Sequence, residues 1–409
     1  MNGGREPDPG TVAARAGLGR PGEGGADAGV DLVAPLGLAA VRAYRDLEAL
    51  DAAMETRDVY RRYGSGSVAL LEDAIAGLET PSGGERPVAR ATASGQAALA
   101  LGLSLLAAPG RRRVVVVRPC YGGTDALVGG PLGNLGLQLA TVDLAPAGES
   151  DHGALVAASL RDDVAAVVVE VISNPMMTVV DVPAVAAACR AAGAACIVDS
   201  TFATPFLFQA FAHGADMVFH SLTKHLSGHS DVLGGMLLVS EDSPAAGFLD
   251  GFSRLFGAVL SPFDAWLALR GLRTASLRLE RCSANAAALC EFFAARSEVD
   301  AVHYPGRGGA ADEEQCRRLL PRGRGAMLSV DLAGGRAAAA AFMRRLAGVR
   351  LAPSLGDVAT TVSHPALTSH RSLTPQGRAA LGIGDGLVRI STGIESIDDL
   401  REEFATALG

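Results

Sequence analysis

The stretch His220-Ser221-Leu222-Thr223-Lys224-His225-Leu226-Ser227-Gly228-His229-Ser230-Asp231 follows directly on the strand-length run Ala215–Phe219. Lys224 is the only lysine in the chain; of the 36 lysines and arginines, the other 35 are arginine. Wherever a cation was merely useful, this sequence uses a guanidinium, and one position keeps an amine. Arginine does not give up its proton under ordinary conditions; lysine can, and a neutral amine attacks carbonyls. A lone amine among Ser, Thr and His side chains therefore points to a Schiff base with a phosphorylated aldehyde, that is, to pyridoxal 5'-phosphate (PLP). The competing account is an arginine-biased composition that spared one surface lysine. Such a survivor would rarely fall in a hydroxyl- and glycine-dense loop behind an apolar run.

Moving outward from this loop, strand-like runs at Val114–Val117, Val164–Val171, Ala195–Val198 and Gly235–Val239 are interleaved with helical stretches. That alternation predicts a parallel α/β sheet with right-handed crossovers. Chemistry-bearing residues fall where such a sheet binds ligands, at carboxyl strand ends and helix starts. Tyr121 follows the Val114 run and precedes two glycines, a setting in which a phenol ring can lie flat on a ligand. Asp199 closes the Ala195 run, where a carboxylate is costly unless it meets a partner such as a protonated pyridine nitrogen. Ser94-Gly95-Gln96 opens an Ala/Leu-rich helix, whose free N–H groups and positive dipole end make a phosphate seat. Ser221 and Thr223 add hydroxyls to it. Tyr60 and Arg62, two residues apart in a glycine-rich loop, can present a phenol and a guanidinium to one anion, and Arg389, in the strand-like run Leu387–Ser391, can clamp a carboxylate. Each signal is weak alone, and their shared position at one sheet edge is what gives the set weight.

Composition narrows the function classes. With 409 residues the chain exceeds one core, and two domains plus an arm are expected. The expected division is an N-terminal arm over 1–62, partly disordered and reaching a neighbouring subunit, a cofactor-binding large domain over 63–255 and an α+β small domain over 256–409. The formal charge of −8 and the lack of a basic stripe speak against a nucleic-acid partner. The apolar runs are too short to span a bilayer. The Gly/Pro/acid-rich N-terminus has no signal-peptide character, and six cysteines without a CxxC pair read as free thiols, so a cytoplasmic location is expected. His225 and His229 have the spacing of a helical metal pair but flank Ser227-Gly228, so they read as loop histidines and no metal is expected. Within the helical Val68–Leu78 stretch, Ser67 is the expected N-cap.

With these residues assembled, the chain resembles the Cys/Met-metabolism PLP-dependent enzymes: cystathionine γ-synthase, cystathionine γ-lyase, methionine γ-lyase and O-acylhomoserine sulfhydrylase. His220–Asp231 matches the family's lysine block, Asp199-Ser200-Thr201-Phe202 its ring-aspartate block, and Tyr121-Gly122-Gly123-Thr124 its stacking-tyrosine block. The resemblance runs from about Tyr60 to the C-terminus. It implies the aspartate-aminotransferase-like fold (PLP fold type I) and a homotetramer of catalytic dimers. It also implies that Tyr60 and Arg62 hold the phosphate of a neighbouring subunit's cofactor, that Asn174 lies near the cofactor hydroxyl, and that Ser354 joins Arg389 at the substrate carboxylate. Lys224 and Tyr121 would be the catalytic pair.

Several positions leave the family pattern. Gly123 stands where methionine γ-lyases often carry cysteine, Pro353 where cystathionine enzymes usually carry glutamate, and Asp125-Ala126 where an aromatic and an arginine often follow. Cofactor-facing positions agree while substrate-facing ones drift. The expectation is PLP-dependent γ-elimination or γ-replacement on a γ-substituted L-amino acid that need not be cystathionine, with a place in specialised metabolism. Methionine γ-lyase or O-acylhomoserine sulfhydrylase chemistry, or conversion of a γ-halogenated vinyl amino acid to an alkyne, are the alternatives. An idle PLP-binding scaffold is the reading from another class.

Overall fold

The valine run Val114–Val117 shows how the large sheet is built. Val114 and Val116 pack into one apolar cluster while Val115 and Val117 pack into another, the alternation of a strand covered on both faces. The computed structural model describes residues 7–18, 31–55, 59–144 and 151–409. A seven-stranded sheet is formed by β1 (Val88–Thr92), β2 (Arg113–Arg118), β3 (Gln138–Asp143), β4 (Val164–Glu170), β5 (Ala195–Asp199), β6 (Met217–Ser221) and β7 (Gly235–Val239). Their spatial order is β1-β7-β6-β5-β4-β2-β3. The ladders joining β3, β2, β4, β5 and β6 are parallel; β7 runs against both β6 and β1. The sheet is therefore mainly parallel with one reversed strand. Six carboxyl ends share one edge, and β7 brings its amino end, Gly235, to that same edge.

A second sheet, order β10-β11-β12-β9-β8, contains β8 (Val299–His303), β9 (Met327–Leu332), β10 (Arg350–Leu351), β11 (Thr361–Ser363) and β12 (Leu387–Ser391). A third apolar cluster covers it, with Phe293, Phe342 and Phe404 stacked or tilted at its centre. Arg389 Nη1 donates to Asn174 Oδ1 (3.0 Å), Ser329 Oγ to the Pro175 carbonyl (2.8 Å), and the Val358 N–H to the Gly228 carbonyl (3.0 Å). These bonds tie the second sheet to the loops that leave β4 and β6.

Two local expectations change. The helix after the Gly64 turn starts at Gly66 with Ser65 as its cap, not Ser67. Ser67 Oγ instead accepts from the Gly37 N–H (3.2 Å) and donates to the Pro35 carbonyl (2.9 Å), fastening the segment before it. Within the 1–62 arm expected to be partly disordered, Pro9–Ala14 is a short helix capped by Asp8, and Ala13 is buried. Residues 1–6, 19–30 and 56–58 of that arm lie outside the described residues.

Candidate active site

The carboxyl edge of the large sheet opens into a cavity of about 530 Å³, within the range of small-ligand sites. Lys224, Asp199, Tyr121, Asn174, Gly95, Gln96, Ser221, Thr223, Ser354 and Arg389 all line it. Lys224 comes from the turn after β6. Its Nζ donates to Ser354 Oγ at 2.9 Å. Burial, helped by the Arg389 charge, pulls its ammonium down from the ordinary lysine range to about 8. Gly356 fixes this approach: it has φ +83°, and a side-chain carbon there would come within 2.5 Å of the His225 nitrogen.

Two carboxylates lie at the strand ends. Asp199, last residue of β5, accepts the Thr201 N–H at 2.9 Å. Its register partner on β4 is Glu170, which accepts the N–H groups of Tyr121 (2.7 Å) and Asn174 (2.8 Å). Burial pushes both carboxyls above their usual range, and the Asp199 charge adds to the effect on Glu170. Glu170 was not among the residues picked from sequence. The available signal was an acid near the end of a strand-like apolar run, where an unpartnered carboxylate is costly; its register with Asp199 appears only in the fold. Its two oxygens fix the start of the tyrosine loop and the asparagine loop at once.

The Gly95–Leu106 helix points its N-terminus into the cavity, with Ser94 Oγ accepting the Ala97 N–H at 3.1 Å. The first N–H groups of such a helix have no intrahelical acceptor and favour an anion. A side chain at Gly95 would press on Ser221 at 3.1 Å, and one at Gly235 would meet the Ser94 carbonyl at 2.2 Å. Two glycines thus let helix, β6 and β7 converge on one anion seat. On the opposite wall, Arg389 is buried, its fork held by Asn174 Oδ1 and the Ser354 carbonyl (3.2 Å).

Tyr121 is held at its backbone by Glu170 while its ring stays partly exposed. A side-chain carbon at Gly123 would lie 2.3 Å from the Tyr121 ring and 2.5 Å from the Gln96 amide, so the departure from cysteine noted in the sequence leaves room for that ring position. The structure does not bring Tyr60 and Arg62 into the cavity. Arg62 stacks over the rings of Tyr60 and Tyr63 (5.4 and 5.0 Å) and donates to the Arg254 carbonyl, beside a separate pocket.

A partly desolvated amine, a deep carboxylate, a helix N-terminus flanked by hydroxyls, and a buried guanidinium fit PLP and an amino-acid carboxylate. Together with the mainly parallel sheet, they define a PLP-dependent enzyme of fold type I. The chain belongs to the Cys/Met metabolism PLP-dependent enzyme family, whose model matches residues 25–409. It is 39% identical over 349 residues to L-methionine gamma-lyase of Pseudomonas putida, covering 85% of this chain and 84% of that one. It is 39% identical over 352 residues to O-succinylhomoserine sulfhydrylase of Pseudomonas aeruginosa, covering 86% and 83%. The crystal structure of cystathionine gamma-synthase from Xanthomonas oryzae pv. oryzae superposes with a TM-score of 0.86 at 34% identity, covering 99% and 98%. The protein is a PLP-dependent lyase or synthase of Cys/Met metabolism.

Proposed function

We propose that this enzyme performs γ-elimination or γ-replacement on a γ-substituted L-amino acid. The observation that carries the reading is the contact of Lys224 Nζ with Ser354 Oγ in the cavity that also holds Asp199, Tyr121 and Arg389. When bound, PLP supplies an electron sink for carbanions at substrate Cα and Cβ. Asp199 holds the ring-nitrogen proton, and the helix N-terminus at Gly95 and Gln96 with Ser221 and Thr223 seats the phosphate. Asn174 would face the cofactor hydroxyl. Arg389, with Ser354, grips the substrate α-carboxylate in a two-point fork. Lys224 Nζ would take the proton from Cα and pass it on, and Tyr121 would act as a second acid and base at the leaving-group side. A homotetramer built of catalytic dimers, with Tyr60 and Arg62 reaching a neighbour's cofactor phosphate, completes the proposal. Six buried, unpaired thiols support a reducing, cytoplasmic setting.

The test is a panel of thioether, O-acyl and halo γ-substituted amino acids incubated in deuterated water, with products read by mass. The expected outcome is loss of the γ-substituent from at least one member, with deuterium at Cα and Cβ of the recovered amino acid or of a replacement product, and at Cβ and Cγ of a 2-oxo acid formed by elimination. Lys224→Ala abolishes both the exchange and the visible absorbance of the bound cofactor. If no member exchanges its Cα hydrogen, the proposal fails in favour of an idle cofactor-binding protein. Turnover that requires an added thiol assigns replacement; turnover without one assigns elimination.

A further inference from the structure

Besides Arg389, the cavity is lined by a second guanidinium, Arg371, which sequence reading did not single out. The cations facing the space are Lys224, Arg389 and Arg371; the acids are Glu170 and Asp199, both at the strand-end floor. Arg389 is engaged by Asn174 and Ser354, and Glu170 by two backbone amides. Arg371 is exposed, and among the described residues its guanidinium makes no ion pair.

Its backbone is firmly mounted. The neighbouring His370 is buried, and its Nε2 donates to the Cys120 carbonyl at 2.8 Å. That bond fixes the tautomer, so Nδ1 accepts from Ser369 Oγ at 2.9 Å. Burial pulls His370 down to about 4, which keeps it neutral in this role. Gly122 packs so closely that a side-chain carbon there would reach the Ser369 carbonyl at 2.0 Å. The segment carrying Arg371 is therefore bolted to the loop carrying Tyr121. Part of the lining is apolar: Leu367 and Leu233 line the cavity although 47% and 63% exposed, alongside Phe202 and Pro353. Apolar lining beside an unpaired guanidinium carried on an anchored backbone suits a chain of methylenes ending in an anion.

The geometry points to Arg371 as the specificity-determining residue for a γ-substituent that ends in a second carboxylate. The inference rests on the proposed reading of the site and names its substrate class: a dianionic amino acid whose α-carboxylate meets Arg389 and whose distal carboxylate meets Arg371.

The test measures calorimetric binding to the PLP-loaded enzyme. Its ligands are L-2-aminoadipate, L-2-aminopimelate and L-2-aminosuberate, each beside a straight-chain monocarboxylic amino acid of equal length. At least one diacid binds roughly ten- to a hundredfold tighter than its neutral counterpart, as a charge-assisted pair warrants. Arg371→Gln collapses that ratio toward one, Arg371→Lys retains part of it, and added salt lowers it in the unmodified enzyme. An equal ratio in the unmodified enzyme and Arg371→Gln overturns the assignment while leaving the lysine chemistry untouched. A preference only for phosphonate-ended analogues overturns the carboxylate class. Failure of every amino acid to bind overturns the reading of the site itself, and the inference with it.

Discussion

At the scale of single residues, the lone lysine carries the most information and the sharpest pH dependence. Its ionisation lies near 8 because the cavity desolvates it and Arg389 repels it. Below that value the amine is protonated and cannot attack an aldehyde. The rate at which cofactor-free protein captures PLP therefore rises about tenfold per pH unit below 8 and levels off above it. Stopped-flow absorbance checks this, and a midpoint near the ordinary lysine value of 10.5 contradicts it. Stability carries the same sign. The folded-state value lies below the unfolded one, so burying the ammonium costs stability below about pH 8, and that cost is relieved as pH rises toward 10.5. Composition exposed Lys224 because rarity is visible in a one-dimensional string. Glu170 and Arg371 were not legible in that way: one acid among many and one arginine among 35 gain meaning only from what faces them.

At the scale of elements, β2, β4, β5 and β7 could be read because runs of valine, isoleucine and leucine have no other economical home than a buried strand. β1 escaped notice because Arg90 sits in its middle, buried and neutralised by Asp250 at 2.6 Å, a partner 160 residues away. β3 is half polar and lies at the sheet edge. The reversed direction of β7 also left no mark in its pattern, yet it matters for the site. Reversal brings Gly235 to the helix N-terminus, where Ser94 and Gly95 backbone atoms leave no room for a methyl group (2.2 to 2.7 Å). Gly235→Ala must push the Gly95–Leu106 helix away from the sheet. Overpacking of this kind costs about 1–3 kcal/mol, visible in denaturant unfolding. PLP release, followed by dialysis, speeds up in the same variant because the anion seat widens. Unchanged unfolding and unchanged release together would show that the contact is not tight.

At the scale of the whole molecule, Arg62 and Tyr60 sit apart from the cavity their sequence block was expected to serve. The segment leading to them exposes an apolar series, with Leu32 at 75%, Val41 at 65% and Leu47 at 78%. Such a series suits a surface that another chain covers, as the proposed assembly requires. If a neighbour's arm completes each site, then every site combines Lys224 from one subunit with Arg62 from another. In a two-fold dimer this arrangement is reciprocal. Arg62→Ala and Lys224→Ala subunits are each impaired alone. Unfolded together and refolded at equal ratio, they form hybrids in half of the dimers, and each hybrid has one site with both residues intact. About a quarter of the unmodified activity per subunit returns. Size-exclusion chromatography with light scattering, run on the same samples, confirms that the hybrids assembled. Recovery no greater than the sum of the two parents, in samples that did assemble, places Arg62 outside the partner's site and makes each chain's cavity complete by itself.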